Sequence, residues 1–161
     1  MANDVLPTWM ATLSARRELE QCAANANNQR RIAAQKSIEV GAPAFFRQFI
    51  KELFIAANGC HALNLRGLLL KNKNSCEEEE RWSISISAIP PVAKQTSADL
   101  FYATGDLVIH CIPSVGDSFN LEFVANEAGV VFVTSKLHPK PLDAEKAAQF
   151  LLEPMLKLVA G

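Results

Sequence analysis

Between residues 63 and 134 the chain reads as short runs of alternating apolar and polar positions separated by turn-forming clusters. The clearest run is Arg81-Trp82-Ser83-Ile84-Ser85-Ile86-Ser87-Ala88. A strand sends successive side chains to opposite faces, so Trp82, Ile84, Ile86 and Ala88 share one face and Arg81 and the three serines share the other. Phe119, Leu121 and Phe123 alternate with Asn120 and Glu122 in the same way. In an opening strand over 63–71, Leu63, Leu65 and Leu69 form the core stripe, and Leu68 and Leu70 fall opposite it. Residues 98–103 and 107–112 flank Thr104-Gly105-Asp106 as a hairpin. Residues 130–134 form the last strand. Pro90-Pro91 ends the Trp82 strand, because proline cannot donate to a ladder. Residues 92–97 read as loop, and His138-Pro139-Lys140-Pro141 as a rigid extended link. Short strands joined by short turns predict an antiparallel meander of about six strands.

The flanks have helical periodicity. Residues 1–6 are expected to fray. Pro7 suits a first helical position, and residues 8–36 contain neither Gly nor Pro. Leu6, Trp9, Met10 and Leu13 form an apolar patch at helical spacing. The middle, Ala24-Asn25-Ala26-Asn27-Asn28, has poor helix propensity, because asparagine side chains compete for backbone hydrogen bonds. A helix this polar is expected to lie on the surface on a thin apolar stripe, the alternative being pairing with another copy of itself. Gly41-Ala42-Pro43 predicts a break and a second helix, with Phe46, Phe49, Ile50, Leu53 and Ala57 as its buried stripe. Asn58-Gly59 predicts a left-handed stop. Asp143 is the expected N-cap of a C-terminal helix through Ala147, Phe150, Leu151 and Met155. Pro154 should kink or restart that helix.

This order defines an α+β chain. A single antiparallel sheet of about six strands is preceded by two helices and followed by a C-terminal helix packed on it. One domain covers 1–161, with 1–41 as a polar, peripheral helix and 42–161 as the helix–sheet–helix body. The order is similar to that of helix-grip proteins, which wrap a sheet around a long C-terminal helix and hold an apolar ligand. The similarity implies a ligand site between sheet and C-terminal helix, although the opening strand of that fold is missing here.

Composition narrows the context. The chain has 161 residues, 49% hydrophobic and 20% charged, as in ordinary globular domains. A formal net charge of −1 supplies no long-range attraction to nucleic acid or anionic membrane, so neither is an expected partner. No apolar run reaches membrane-spanning length, and the N-terminus lacks the features of a signal peptide. Cys22, Cys60, Cys76 and Cys111 form no C-x-x-C pair. The expected location is the cytoplasm, with free thiols.

Chemistry-bearing residues are sparse. His110-Cys111 are strand neighbours facing opposite ways, which disfavours a nucleophile–base pair. Cys60-His61 together with His110-Cys111 could in principle make a metal site, but nothing in the spacing demands it. The run from Glu77 to Glu80 reads as a solvated link that deters edge pairing. Asp99, Asp106 and Asp117 sit near turns, where Asp is common for its own hydrogen bonding. Arg16-Arg17 and Arg30-Arg31 read as a solvated helix face. No catalytic residue, cofactor or metal is therefore expected. What remains is the second sheet face, with Ser83, Ser85, Ser87, Leu68, Leu70 and His110, and with Val131 and Val133 placed beside them. The function expected is a non-enzymatic interaction protein acting as a homo-oligomer. The alternative is a binding module for a small apolar ligand between the sheet and the C-terminal helix. A hydrolase-type enzyme using the turn carboxylates ranks third.

Overall fold

Seven strands pair antiparallel in sequence order, and two helices pack on one face of the sheet they form. The computed structural model describes residues 6–76, 78–89 and 94–160. The expected fraying of residues 1–5, the Pro90-Pro91 stop, Glu77 and the first part of the 92–97 loop lie outside the described residues. Helix α1 covers Thr8–Gly59, and a single 3₁₀ turn covers Cys60–Leu63. The strands are β1 Leu65–Lys71, β2 Glu79–Ala88, β3 Gln95–Ala103, β4 Val108–Pro113, β5 Phe119–Ala125, β6 Val131–Ser135 and β7 His138–Leu142. Helix α2, Ala144–Ala160, closes the chain.

The predicted α+β class with one antiparallel meander holds, and several details differ, among them Leu63, which lies in the 3₁₀ turn before β1 and is exposed. The sheet has seven strands, because the expected link at 138–141 is an edge strand. Val133 pairs with Leu142 and Ser135 with His138. Pro139 and Pro141 have no N–H to give, which suits a strand paired on one side only. Loop 92–97 also ends early, at Gln95.

The two N-terminal helices are one. Helix α1 runs 52 residues through Gly41 and Pro43 without a break. An interior proline costs roughly 3 kcal/mol. Phe46, Phe49 and Leu53 lie just beyond it and are at most 1% exposed. Each such burial stabilises by about 1.5–3 kcal/mol, so the packed stripe outweighs the proline. The carbonyl that loses its donor belongs to Glu39, which faces solvent. Pro154 is likewise accommodated within α2, on its exposed side.

The left-handed stop also moves. Gly59 has φ −75°, and the positive-φ residue is Asn64 at φ 57°, after the 3₁₀ turn. Asp143 caps α2 as expected: the Lys146 N–H donates to Asp143 Oδ1 at 2.8 Å.

The core lies between the inner sheet face and the two helices. Ile84, Ile86, Leu100, Ile109, Leu121 and Val133 meet Phe46, Phe49 and Leu53 of α1 and Ala147, Leu151 and Met155 of α2. Val133 is therefore core, fully buried, and Val131 packs partly buried beside it. Their expected place on the outer face is corrected. Residues 130–133 are consecutively apolar, so the run carries no alternation that could reveal its parity. In the structure Phe132 and Thr134 take the outer face, Thr134 opposite Glu122. Among the described residues no helix is long and apolar enough to cross a membrane.

Candidate functional site

The outer face of the sheet carries a row of four side chains, one per strand. Register places Arg81 of β2 beside Phe101 of β3, Phe101 beside His110 of β4, and His110 beside Asn120 of β5. Cross-strand neighbours on one face lie close enough to interact directly, and each pair here does. The Arg81 guanidinium lies 4.9 Å from the Phe101 ring centroid. The Phe101 and His110 rings are 5.7 Å apart, tilted by 38°. His110 Nδ1 is 2.9 Å from Asn120 Oδ1. An amide oxygen only accepts, so Nδ1 donates and the neutral ring keeps its lone pair on Nε2.

The loop before β2 fixes the row at its Arg81 end. The Asn72 N–H donates to the Arg81 carbonyl at 2.7 Å. Ser75 Oγ donates to the same carbonyl at 2.9 Å and accepts the Arg81 N–H at 2.8 Å. A cleft of about 480 Å³ opens over the row. Asn72, Ser83, Asp99, Ile112 and Ser118 are among the other residues that line it. The arrangement offers a cation held over an aromatic ring, an imidazole with a free acceptor and two amides. It sets polar groups of both charges, Arg81 and Asp99, beside the apolar surface of Phe101.

Of the eight residues expected on the outer face, Ser83, Ser85, Ser87, Leu68, Leu70 and His110 lie there, and Val131 and Val133 do not. Ser83 and His110 line the cleft. Leu70 pairs with Ser83, Leu68 with Ser85 and Arg66 with Ser87, which makes an adjoining strip toward the β1 edge. The sequence reading missed Arg81, Phe101 and Asn120 as a unit. Their parity was legible, since Arg81 alternates with Trp82 and Asn120 with Leu121. Their alignment depends on the register of four strands, which no local pattern supplies.

The other candidates separate. Cys111 is buried in the core while its neighbour His110 faces the cleft, and burial pushes the thiol up to about 12. Cys60 is buried at the helix end, donates to the Ala56 carbonyl at 3.4 Å and is also pushed up by burial. The turn carboxylates stand apart. Asp106 follows β3 and Asp117 follows β4, so they lie at opposite ends of β4, and Asp99 sits mid-strand on β3. Glu79 and Glu80 begin β2 and pair with Ala103 and Tyr102 of β3, beyond the Lys71–Trp82 pair at which β1 ends. The Glu80 carboxylate pairs with Lys71 at 3.5 Å. Among the described residues no three His, Cys, Asp or Glu side chains group as a metal site.

A second surface is the first half of α1. From Leu6 to Ala33 every residue is exposed, including Trp9 at 64% and Leu13 at 53%. The helix does not lie on the body as expected. It leaves the sheet near Arg30, where Ala33, Ala34 and Ser37 meet the β5–β6 turn. Arg16-Arg17 and Arg30-Arg31 are all exposed along this arm.

Comparison with known proteins returns no family model, no curated protein and no solved structure that matches this chain.

Proposed function

We propose that this protein is a non-enzymatic interaction protein that acts as a homo-oligomer. One observation carries the reading: the exposed helical arm from Thr8 to Ala33. Helices in proteins draw most of their stability from tertiary packing, and a segment rich in asparagine needs it more than most. The arm receives none from its own body, yet it carries Trp9, Met10, Leu13 and Leu19, each at least 40% exposed. Apolar side chains collected on an extended helix are the mark of a surface that is covered in the assembled state. Sedimentation velocity at micromolar concentrations tests this. A mass above one chain is expected, and a monomer throughout overturns the reading.

A second reading rests on the row from Arg81 to Asn120. The space between sheet and α2 is filled by Ile84, Leu100, Leu151, Leu152 and Met155, each at most 4% exposed. A small ligand is therefore better served by the outer face, where Arg81 and Phe101 offer a charge beside a ring. Benzoate, a carboxylate on an aromatic ring, is a suitable probe. Titration should shift the His110 ring resonances in the wild-type chain and leave them unmoved in Arg81→Ala. Equal shifts in both chains, or none, count against this reading.

A further inference from the structure

The apolar tip of the arm repeats the stripe with which the same helix grips its sheet. Leu6, Trp9, Met10 and Leu13 stand at i, i+3, i+4 and i+7. Ala42, Phe45, Phe46 and Phe49 have the same spacing and are all buried. The two sets are offset by 36 residues, about ten turns at 3.6 residues per turn, so Trp9, Met10 and Leu13 face the same side of α1 as Phe45, Phe46 and Phe49, while Leu6 precedes the helix. The tip therefore carries the anchor pattern of a helix that lies in an apolar groove.

Its own sheet is out of reach. At about 1.5 Å per residue the tip stands about 54 Å along an unbroken helix from the stripe it resembles. The groove must belong to another molecule.

The chain presents such a groove. Between α1 and α2 lies a depression of about 460 Å³ floored by Ile55, Leu152 and Leu156. Its rim carries Glu52, Glu145 and Glu153. A depression this size falls within the range that accommodates organic groups the size of a few side chains. The tip is complementary in charge. No acidic residue occurs from Leu6 to Arg17, and Arg16 and Arg17 follow Leu13 within one turn. Apolar anchors meet an apolar floor, and two guanidiniums meet Glu52, Glu145 and Glu153, the last of which also pairs with Lys157 at 3.5 Å.

We infer that the helical tip of one protomer docks in the α1–α2 groove of a second copy, with Trp9, Met10 and Leu13 on the floor and Arg16 and Arg17 against the acidic rim. Both halves of the contact lie on every chain. Exchanged reciprocally, they close a two-fold dimer. This rests on the homo-oligomer reading above and specifies which surfaces make it.

The test is sedimentation equilibrium on the full chain, with far-UV circular dichroism to show that each variant is folded. Trp9→Glu with Leu13→Glu should weaken association at least tenfold. Glu52→Arg with Glu145→Arg and Glu153→Arg should do the same from the other side. Adding Arg16→Glu and Arg17→Glu to the groove reversal should restore most of the lost affinity. A monomeric wild-type chain overturns both this inference and the homo-oligomer reading. An oligomer that ignores the groove reversal overturns this inference alone. If the tip substitutions dissociate it and the groove reversal does not, the arms pair with each other and the groove is not their site.

Discussion

Gly67 and Ala57 meet backbone to backbone. A Cβ on Gly67 would lie 2.5 Å from Ala57 O and 2.8 Å from Ala57 Cα, so the missing side chain is what lets β1 approach the end of α1. Backbone cannot swing aside as a side chain can. Gly67→Ala should therefore cost roughly 1–3 kcal/mol, read as a lower urea midpoint at an unchanged slope. Gly59→Ala is the internal contrast. Nothing lies within 4 Å of a Cβ there, and φ is −75°. It should be neutral or gain about 0.4–1 kcal/mol through the unfolded chain. Equal effects at both positions would remove the close-approach account.

Gly41 sets up a sign reversal. It sits inside α1, where alanine is favoured over glycine by about 1 kcal/mol. A Cβ at 41 would lie 2.6 Å from Val131 Cγ2, and a valine on a strand has little room to turn. Gly41→Ala alone should therefore destabilise. In a Val131→Ala background the blocking methyl is gone, and the same substitution should stabilise. A double-mutant cycle measures the coupling, and additivity within about 0.3–0.5 kcal/mol would show that the two residues do not meet as described.

These two glycines mark where sequence pattern stopped being informative. Alternation identified the inner face of β2 and β5 residue by residue, because a two-residue period survives any tertiary context. The α1 stripe from Phe46 to Ala57 was legible for the same reason at the helical period. Three features needed information that lies outside the local window. Gly41-Ala42-Pro43 has the composition of a break, and only the burial of Phe46, Phe49 and Leu53 shows why the helix continues. The prolines of β7 conceal a strand that pairs on one side. The run 130–133 has no parity until Phe123 fixes its register. The row from Arg81 to Asn120 was half legible. Each residue's face could be read, but the alignment that joins them comes from three strand pairings at once.

The contact from His110 Nδ1 to Asn120 Oδ1 makes a claim about a proton. Free neutral histidine prefers hydrogen on Nε2. Here the acceptor across the strand holds it on Nδ1. Ring ¹⁵N shifts of the neutral imidazole should show Nδ1 protonated in the wild-type chain. In Asn120→Leu, which keeps the branched shape and removes the acceptor, the Nε2–H form should predominate. The same tautomer in both chains would mean that Asn120 does not orient the ring, and the cleft would lose its fixed acceptor.

Cys111 links the core to alkaline pH. The thiol is fully buried, and desolvation of the thiolate raises it from 9.0 to about 12. In the unfolded chain the thiol loses its proton near its ordinary value, while in the folded chain it retains it. From pH 9 to about 12 the folded state therefore binds more protons, and stability falls as pH rises. The stabilising contribution is fully present below pH 9 and is lost as pH climbs through this window, at up to about 1.4 kcal/mol per pH unit. Burial raises Cys60 and Tyr102 in the same direction, with the Asp106 and Glu80 charges adding to the effect on Tyr102. Urea unfolding followed from pH 8 to 11 should show this decline. Cys111→Ala should be less stable at neutral pH, because it leaves a small void, and its stability should fall less steeply with pH. Thiol labelling of the native chain supplies an independent reading. Cys22 and Cys76 are exposed and should react quickly, whereas Cys60 and Cys111 should react only as the fold opens. If all four thiols react at one rate, or Cys111→Ala leaves the pH slope unchanged, Cys111 does not occupy the closed core position that joins β4 to the helix layer.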